Sequence, residues 1–180
     1  MEKPYASAPA RNAAPVLGVL RHELRDCSTV FEIGSGTGQH AVTFAAALPD
    51  LTWQTSDLGQ SHDGIRAWIA DAGAANVLPP LEFDVLSAAM PASAYDAVFS
   101  ANTAHIMSYA AVCRMFELVG AMLNEAGVFC LYGPFSRAGA FIVNRATAPS
   151  HSISTIVILH PSRFYQSLTA TYEGGQVCRS

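Results

Sequence analysis

The sequence predicts an α/β fold in which helices cover both faces of a doubly wound, mostly parallel β-sheet. Short apolar runs of strand length alternate with amphipathic segments of helix length along most of the 180 residues. Such alternation requires right-handed crossover connections between parallel strands. A hydrophobic content of 51% with only 13% charged residues is typical of one well-packed globular domain.

The first residues precede the predicted sheet. We expect residues 1–10 to form an extended arm and a helix to run from Pro15 to Leu24. Proline suits a first helical turn, and the apolar residues that follow it have helical spacing. Asn12 is then interpreted as the residue that caps this helix.

The central segment is VFEIGSGTGQH, residues 30–40. It predicts a short buried strand, Val30–Ile33, then a sharp turn over Gly34–Gly38, then a helix, Gln39–Ala47. Glycine lets the backbone approach a ligand closely and adopt a positive φ, and unpaired amides at a helix start can meet a polar group. The order strand, glycine turn, helix indicates the first half of a nucleotide-cofactor site. The alternative is a plain tight turn.

A second apolar run, Leu51–Gln54, leads to an acid at Asp57. An acid at the tip of the second strand is where such folds hold a ribose diol. The alternative is a β-turn-α unit in which the acid is incidental.

The remaining segments have the periodicity of three strands and two helices. The predicted strands are Leu81–Val85, Tyr95–Ala101 and Val128–Tyr132, and the predicted helices are Ser61–Ala72 and Ser108–Leu123.

Polar residues and glycines follow the predicted strands at one end. Ligands of doubly wound sheets bind outside the carboxyl ends of the strands, near the point where the strand order reverses. The residues collected there are Glu32, Gly34, Gly36, Gly38, Asp57, Asp84, residues 102–105 and residues 132–135. Their convergence on one edge predicts a binding site.

The glycine spacing favours one cofactor class. The dinucleotide fingerprint would place its third glycine where this chain has Gln39, whereas the third glycine here is Gly38. The resulting pattern, E-x-G-x-G-x-G over Glu32–Gly38, resembles the first motif of class I S-adenosylmethionine-dependent methyltransferases. That resemblance implies a Rossmann-like sheet.

Further segments resemble one branch of that class, the domain-of-unknown-function family 938, also called methyltransferase-like protein 26. The resemblance covers roughly residues 8–137. It is carried by Arg11-Asn12, EIGSGTGQHAV, Leu51–Gln54 with Asp57, YDAVFSANTAHI and Leu131–Phe135.

The resemblance implies S-adenosylmethionine as the cofactor and a role for each matching residue. The loop Gly34-Ser35-Gly36-Thr37-Gly38 would wrap the methionine part, Glu32 would order its ammonium group, Asp57 would bind both ribose hydroxyls, Asp84 would approach the adenine amine, and Asn102 would flank the sulfonium.

Methyl transfer from a sulfonium is an in-line displacement, so alignment and exclusion of water matter most. Asn102 and His105 are the candidate catalytic residues, with His105 as an optional base. The alternative for His105 is a histidine packed at a helix entrance.

Other residues are expected to border the site without taking part in the chemistry. Tyr5, Arg11 and Asn12 could fold over it as a lid, His40 would lie on the first helical turn near the cofactor, and Tyr132 would face the substrate.

The C-terminal part departs from the family past Arg137. We divide the chain into a cofactor-binding domain, residues 1–142, and an atypical tail, residues 143–180, with one strand at about 153–159. Residues 1–125 hold 13 acidic and 6 basic residues, whereas residues 126–180 hold 1 and 4. This reversal suggests a replaced or out-of-frame terminus and an incomplete sheet. The fifth strand would then be an exposed edge through which the protein self-associates.

Composition and charge argue against several classes of protein. A net charge of −4 without a basic stripe argues against nucleic-acid binding. No apolar run is long enough for a membrane span, and the first residues lack a secretory signal, so a cytoplasmic protein is expected. Four cysteines without CxxC spacing or clustered histidines predict no metal site.

Methyl transfer to a small molecule is therefore the predicted function. Two alternatives stay open: a catalytically impaired cofactor-binding or scaffold protein, and a nicotinamide-dependent oxidoreductase, to which Gln39 is the main objection.

Overall fold

The computed structural model describes residues 3–89, 94–135 and 153–159. These residues form a mixed α/β structure built on a six-stranded sheet, which confirms the predicted fold class. The strands are β1 (Thr29–Ile33), β2 (Thr52–Asp57), β3 (Val77–Glu82), β4 (Tyr95–Ala101), β5 (Leu123–Phe135) and β6 (Ile153–Leu159). The helices are α1 (Ser7–Glu23), α2 (Gln39–Ala47), α3 (His62–Ala72) and α4 (Tyr109–Met122), with 3-10 turns at Gly59–Ser61 and Ala104–Ile106.

The strand order is β3-β2-β1-β4-β5-β6. Strands β1 to β5 pair in parallel, and β6 pairs antiparallel with β5. The order reverses between β1 and β4, so the carboxyl ends of these two strands flank the crevice where such sheets bind ligands.

Two apolar cores lie on opposite faces of the sheet. Helix α4 packs against one face, where Phe31 and Phe129 are buried with Met115. Helices α1 and α2 pack against the other face around Phe44 and Trp53. Alternate residues of each strand therefore serve different cores, and the sheet is covered on both sides as a parallel sheet requires.

Helix α1 begins at Ser7, not near Pro15 as predicted. The alanine-rich segment around Arg11 and Asn12 has high helix propensity. Pro9 falls in the first turn, where its missing N–H costs no hydrogen bond, and Pro15 is tolerated inside the helix. Asn12 is therefore an interior residue of the helix and not its cap.

The bounds of strand β3 were also predicted wrongly: it runs from Val77 to Glu82, overlaps the predicted Leu81–Val85 only at its last two residues, and includes Pro79 and Pro80. Within the described sheet it is an edge strand, where proline removes no ladder donor that a neighbour needs. Its carbonyls are used instead: Thr55 Oγ1 donates to Leu78 O at 2.9 Å, and Gln54 Nε2 donates to Pro79 O at 2.8 Å.

Strand β5 is longer than the predicted Val128–Tyr132 and continues through Gly133 and Pro134. Its residues from Phe129 onward pair with β6, the segment for which a strand was predicted. The expectation that β5 is an exposed edge is therefore wrong. Residues 143–152 and 160–180 of the predicted tail lie outside the described residues.

Candidate functional site

The glycine turn has the predicted strand–turn–helix geometry. Gly34, Gly36 and Gly38 have φ values of 73°, 59° and 89°, in the left-handed region that favours glycine. The amides of Gly34 and Ser35 both donate to the carbonyl of Ser56, at 3.1 and 2.9 Å. The start of the turn is thereby tied to β2.

The three glycines meet different surroundings. A Cβ on Gly34 would lie 2.6 Å from the side chain of Thr103, and one on Gly38 would lie 3.0 Å from the Cα of Ile65. A Cβ on Gly36 would meet nothing within 4 Å. Packing therefore requires glycine at the two ends of the turn, while its middle faces open space.

Asp57, at the carboxyl end of β2, lies directly against this open part of the turn. Its Oδ2 accepts from the amide of Gly36 at 2.7 Å, and its Oδ1 accepts from the amide of Leu58 at 2.7 Å and from Ser61 Oγ at 3.1 Å. The side chain is half-buried. The predicted neighbourhood of Asp57 and the glycine turn is thus present, with the carboxylate oriented by three donors.

Glu32 lies beneath the turn and is only 1% exposed. Its Oε2 accepts from Ser35 Oγ at 2.8 Å and from Trp53 Nε1 at 3.0 Å. Burial raises the pKa of Glu32 to about 7, and the charge of Asp57 adds to the rise while the two hydrogen bonds oppose it. The carboxyl therefore titrates near neutral pH, where a nearby cation can shift its charge.

Asn102 follows β4 with a φ of 56°, the only positive φ of a non-glycine among the described residues. Its amide donates to the carbonyl of Tyr132 at 2.9 Å. The next residue, Thr103, has its Oγ1 3.4 Å from the carbonyl of Gly34. The loop after β4 thereby connects the end of β5 with the glycine turn, and both Asn102 and Tyr132 are half-buried.

His105 lies in the 3-10 turn Ala104–Ile106 and is 7% exposed. A Cβ on Gly133 would be 4.0 Å from its Nδ1, so the ring lies against the end of β5. This burial favours the alternative of a packed histidine over that of a base open to substrate.

Asp84 lies in the loop after β3 and not within a strand. Its Oδ1 accepts from the amide of Leu86 at 3.0 Å, and the side chain is half-buried. It stays on the same edge of the sheet as Asp57, because β2 and β3 are parallel neighbours.

The residues predicted to form a lid have different surroundings. Tyr5 is 69% exposed, and Arg11 Nη1 donates within its own helix to Ser7 Oγ at 3.1 Å. Asn12 is buried, with its Oδ1 2.6 Å from Nε2 of His40. The structure therefore places Asn12 between α1 and α2, whereas Tyr5 and Arg11 are both exposed to solvent.

His40 packs against aromatic rings at the start of α2. Its ring stacks on Phe44 with centroids 5.0 Å apart. Burial lowers the pKa of His40 to about 4, against a smaller opposing effect of a hydrogen bond to the Pro9 backbone. A neutral ring is thus favoured at physiological pH.

Sequence reasoning missed two side chains that orient the predicted ones. Trp53 of β2 donates to Glu32, and Ser61 of the 3-10 turn after β2 donates to Asp57. Neither residue belongs to the glycine motif, so the motif gave no signal for them. The register of β1 and β2 brings Trp53 beside Glu32.

Two further features, a membrane-spanning helix and a metal-binding cluster, are absent from the described residues. Among the described residues, no helix combines the length and apolar character needed to cross a bilayer. The same residues contain no group of three or more His, Cys, Asp or Glu that could hold a metal ion.

The sheet order and the glycine turn give this chain a fold that is similar to the Rossmann-like fold of solved methyltransferases. The chain belongs to the family described as "Protein of unknown function (DUF938)", which matches residues 3–153. That match extends beyond Arg137, where the sequence resemblance was expected to end.

Solved structures share this fold at low sequence identity. The S-adenosylmethionine-dependent methyltransferase SibL, in its apo form, is 20% identical with a TM-score of 0.65, over 78% of this chain and 39% of that one. An O-methyltransferase family protein from Burkholderia thailandensis is 17% identical with a TM-score of 0.65, over 95% and 48%. Coclaurine N-methyltransferase bound to N-methylheliamine and SAH is 14% identical with a TM-score of 0.60, over 72% and 38%. The chain thus spans less than half of the length of each.

Proposed function

We propose that this protein binds S-adenosylmethionine and transfers its methyl group to a small-molecule acceptor. One observation carries the proposal. The carboxylate of Asp57 is hydrogen-bonded to the amide of Gly36 at the open middle of the glycine turn, beside the point where the strand order reverses.

The residues at this edge fit the chemistry of that cofactor. A ribose diol needs a fixed acceptor, and Oδ2 of Asp57 keeps a further lone pair after its contact with Gly36. Oδ1 accepts from Leu58 and Ser61, and would take the second ribose hydroxyl in place of the Ser61 hydroxyl. Because Gly36 has no side chain and faces open space, a ligand can approach its backbone closely.

Glu32 would act on the ammonium end of the cofactor through charge. At 1% exposure it contributes little contact surface, but Ser35 links it to the turn. A cation bound above the turn favours the ionised form of Glu32 and lowers its pKa. Cofactor binding would then release a proton near neutral pH.

When bound, the cofactor supplies an already activated methyl group. The chain has to align the acceptor and exclude water. We assign that role to the loop after β4, where Asn102 and Thr103 are tied to Tyr132 and Gly34. The buried ring of His105 is left out of the proposed reaction.

The comparisons support this proposal through the fold. The three matched structures named above carry methyltransferase names, and coclaurine N-methyltransferase among them has SAH bound. A cytoplasmic location, a small acceptor, the absence of nucleic-acid partners and identity with methyltransferase-like protein 26 stay predictions from the sequence.

Isothermal titration of the purified chain with S-adenosylhomocysteine and, separately, with NAD tests the proposal. We expect S-adenosylhomocysteine to bind and Asp57→Ala to weaken it about 100-fold, because two charge-assisted hydrogen bonds are lost. Asp50→Ala is the matched control, since Asp50 is an exposed acid in the turn before β2, at the opposite end of that strand.

The outcomes separate the alternatives. Binding of NAD in place of S-adenosylhomocysteine would favour an oxidoreductase. Binding of S-adenosylhomocysteine without methyl transfer from radiolabelled cofactor into any fraction of a cell extract would favour a cofactor-binding protein without catalysis. Unchanged affinity in Asp57→Ala would overturn the assignment of the site.

A further inference from the structure

Residues 3–6, which we call the N-terminal strap, run from helix α3 to the first turn of helix α2. On α3, Trp68 Nε1 donates to the carbonyl of Pro4 at 2.6 Å. Lys3 Nζ lies 3.9 Å from the centroid of the Trp68 ring and pairs with Asp71. A hydrogen bond, a cation–π contact and an ion pair therefore hold this end of the strap.

Gly64 allows the strap to lie close to α3. A Cβ on Gly64 would be 2.6 Å from Cγ of Pro4. The φ of Gly64 is not in the left-handed region, and the residue lies in a regular helix. Any side chain there would displace the strap without straining the helix backbone.

The other end of the strap is held by one buried amide oxygen. Oε1 of Gln39 accepts from the amide of Ala6 at 2.6 Å and from Thr37 Oγ1 at 3.0 Å. Gln39 is 5% exposed and is the first residue of α2. It therefore joins the strap to Thr37, inside the glycine turn.

The two attachment points flank the last glycine of the turn. Gly38 directly precedes Gln39, and a Cβ on Gly38 would lie 3.4 Å from Cβ of Trp68. The strap thus bridges the end of the turn, from Trp68 on one side to Gln39 on the other.

We propose that Gln39 is a positioning residue through which the strap holds the glycine turn in its cofactor-binding conformation. This inference rests on the proposed function, since it concerns the affinity of the same site. A turn that is already held in place loses less conformational entropy when a ligand binds. Releasing the strap lowers the fraction of binding-competent molecules and raises the apparent Kd by the same factor.

The coupling between the strap and the cofactor must act in both directions. If the strap strengthens cofactor binding, cofactor binding must strengthen attachment of the strap. The amide of Ala6, which donates to Gln39, then exchanges its hydrogen more slowly in the complex.

The test uses the full chain and S-adenosylhomocysteine as the probe in isothermal titration. We expect Gln39→Met, which keeps the size but removes the acceptor, and Gly64→Ala, which displaces Pro4, each to raise Kd about tenfold. Gln39→Glu keeps an oxygen that accepts both hydrogen bonds and should bind like wild type. Arg66→Ala is the control on α3, because Arg66 forms an exposed ion pair with Asp63 of the same helix and is not part of the strap attachment.

Stability and coupling distinguish positioning from general destabilisation. Gly64→Ala should leave the Tm unchanged or higher, since alanine is the better helix former. The double variant Gln39→Met/Gly64→Ala should bind no more weakly than either single variant, because both release the same strap. Additive losses, single variants that bind like wild type, or unchanged exchange at Ala6 would each overturn the inference. If wild type itself does not bind the probe, the proposed function fails as well.

Discussion

Two carboxylates at opposite ends of the central strands show how differently this fold treats an acid. Glu32 lies at the carboxyl end of β1, where two side chains donate to it and burial raises its pKa to about 7. Asp96 lies near the amino end of the adjacent β4. Burial raises the pKa of Asp96 too, but hydrogen bonds from Ser28, Asn124 and Thr29 more than offset it and hold that pKa below its ordinary value.

The two carboxylates differ in the number of hydrogen-bond donors around them. Asp96 accepts from the amides of Ser28 and Thr29 at 2.9 and 3.0 Å, from Thr29 Oγ1 at 3.0 Å and from Asn124 Nδ2 at 2.7 Å. An acid saturated with donors stays charged and fastens three segments together. An acid with few donors and full burial has its charge set by whatever binds nearby, which suits a site and not a structural clamp.

The largest effect expected from this comparison is on stability. Asp96→Ala should lower the free energy of unfolding by about 4 kcal/mol, roughly 1 kcal/mol for each hydrogen bond lost. Urea unfolding of variant and wild type measures the difference. Asp26→Ala is the control at the same edge, because Asp26 is exposed. A change in the affinity of folded Asp96→Ala for S-adenosylhomocysteine would contradict the separation of the two edges.

Titration of Glu32 should make the free energy of unfolding depend on pH, with a total change of about 3 kcal/mol. The pKa of Glu32 is raised from 4.5 to about 7 in the folded protein, so the folded state binds the proton more tightly than the unfolded state. The resulting stability is fully present below about pH 4.5 and is lost as pH rises through about 7. Glu32→Gln, which can still accept from Ser35 and Trp53, removes this dependence.

The quantity to follow is the difference in unfolding free energy between wild type and Glu32→Gln, from urea titrations at pH 4.5 to 8. The stability of wild type alone depends less on pH, because His40 has the opposite effect. The pKa of His40 is lowered from 6.5 to about 4 in the folded protein, so its contribution to stability increases as pH rises from about 4 to 6.5. A difference that stays constant over this range would show that Glu32 does not titrate as its burial indicates.

The smallest effect concerns the backbone at the site edge. Asn102 has a φ of 56°, which glycine adopts freely and asparagine adopts more readily than alanine does. Asn102→Ala should therefore cost about 1 kcal/mol, and Asn102→Gly should cost clearly less. Thermal unfolding of the pair measures this, and equal losses in both would assign the effect to the lost amide side chain.

The sequence predicted the parts of the fold that depend on local pattern. The glycine turn and helix α2 follow from short-range chemistry and lie where they were predicted, and helix α4 differs from its predicted range by one residue at each end. The start of α1 and the strand through Pro79 were missed, because helix propensity in the first case and edge location in the second decide the outcome. An edge location cannot be recognised before the strand order is known.

The candidate site, like the fold, was predictable from the sequence only in part. Asp57 could be placed beside the turn from its spacing, yet its contact with Gly36 depends on the register of β1 and β2. The burial of Asn12 was not predicted, since it is covered by an element distant in sequence, and for His105 the sequence left open whether the ring is packed or available to substrate. Side-chain types were readable from the sequence, whereas their exposure was not.

The hydrogen bond from Trp53 to Glu32 gives the protein a built-in optical reporter. The chain has two tryptophans, and the second, Trp68, carries the strap. Fluorescence of Trp53 therefore senses the charge state of the acid beneath the glycine turn, while fluorescence of Trp68 senses attachment of the first residues. Replacing either indole by phenylalanine isolates the emission of the other, so that two single-tryptophan variants report protonation in the interior and closure at the surface without an added label.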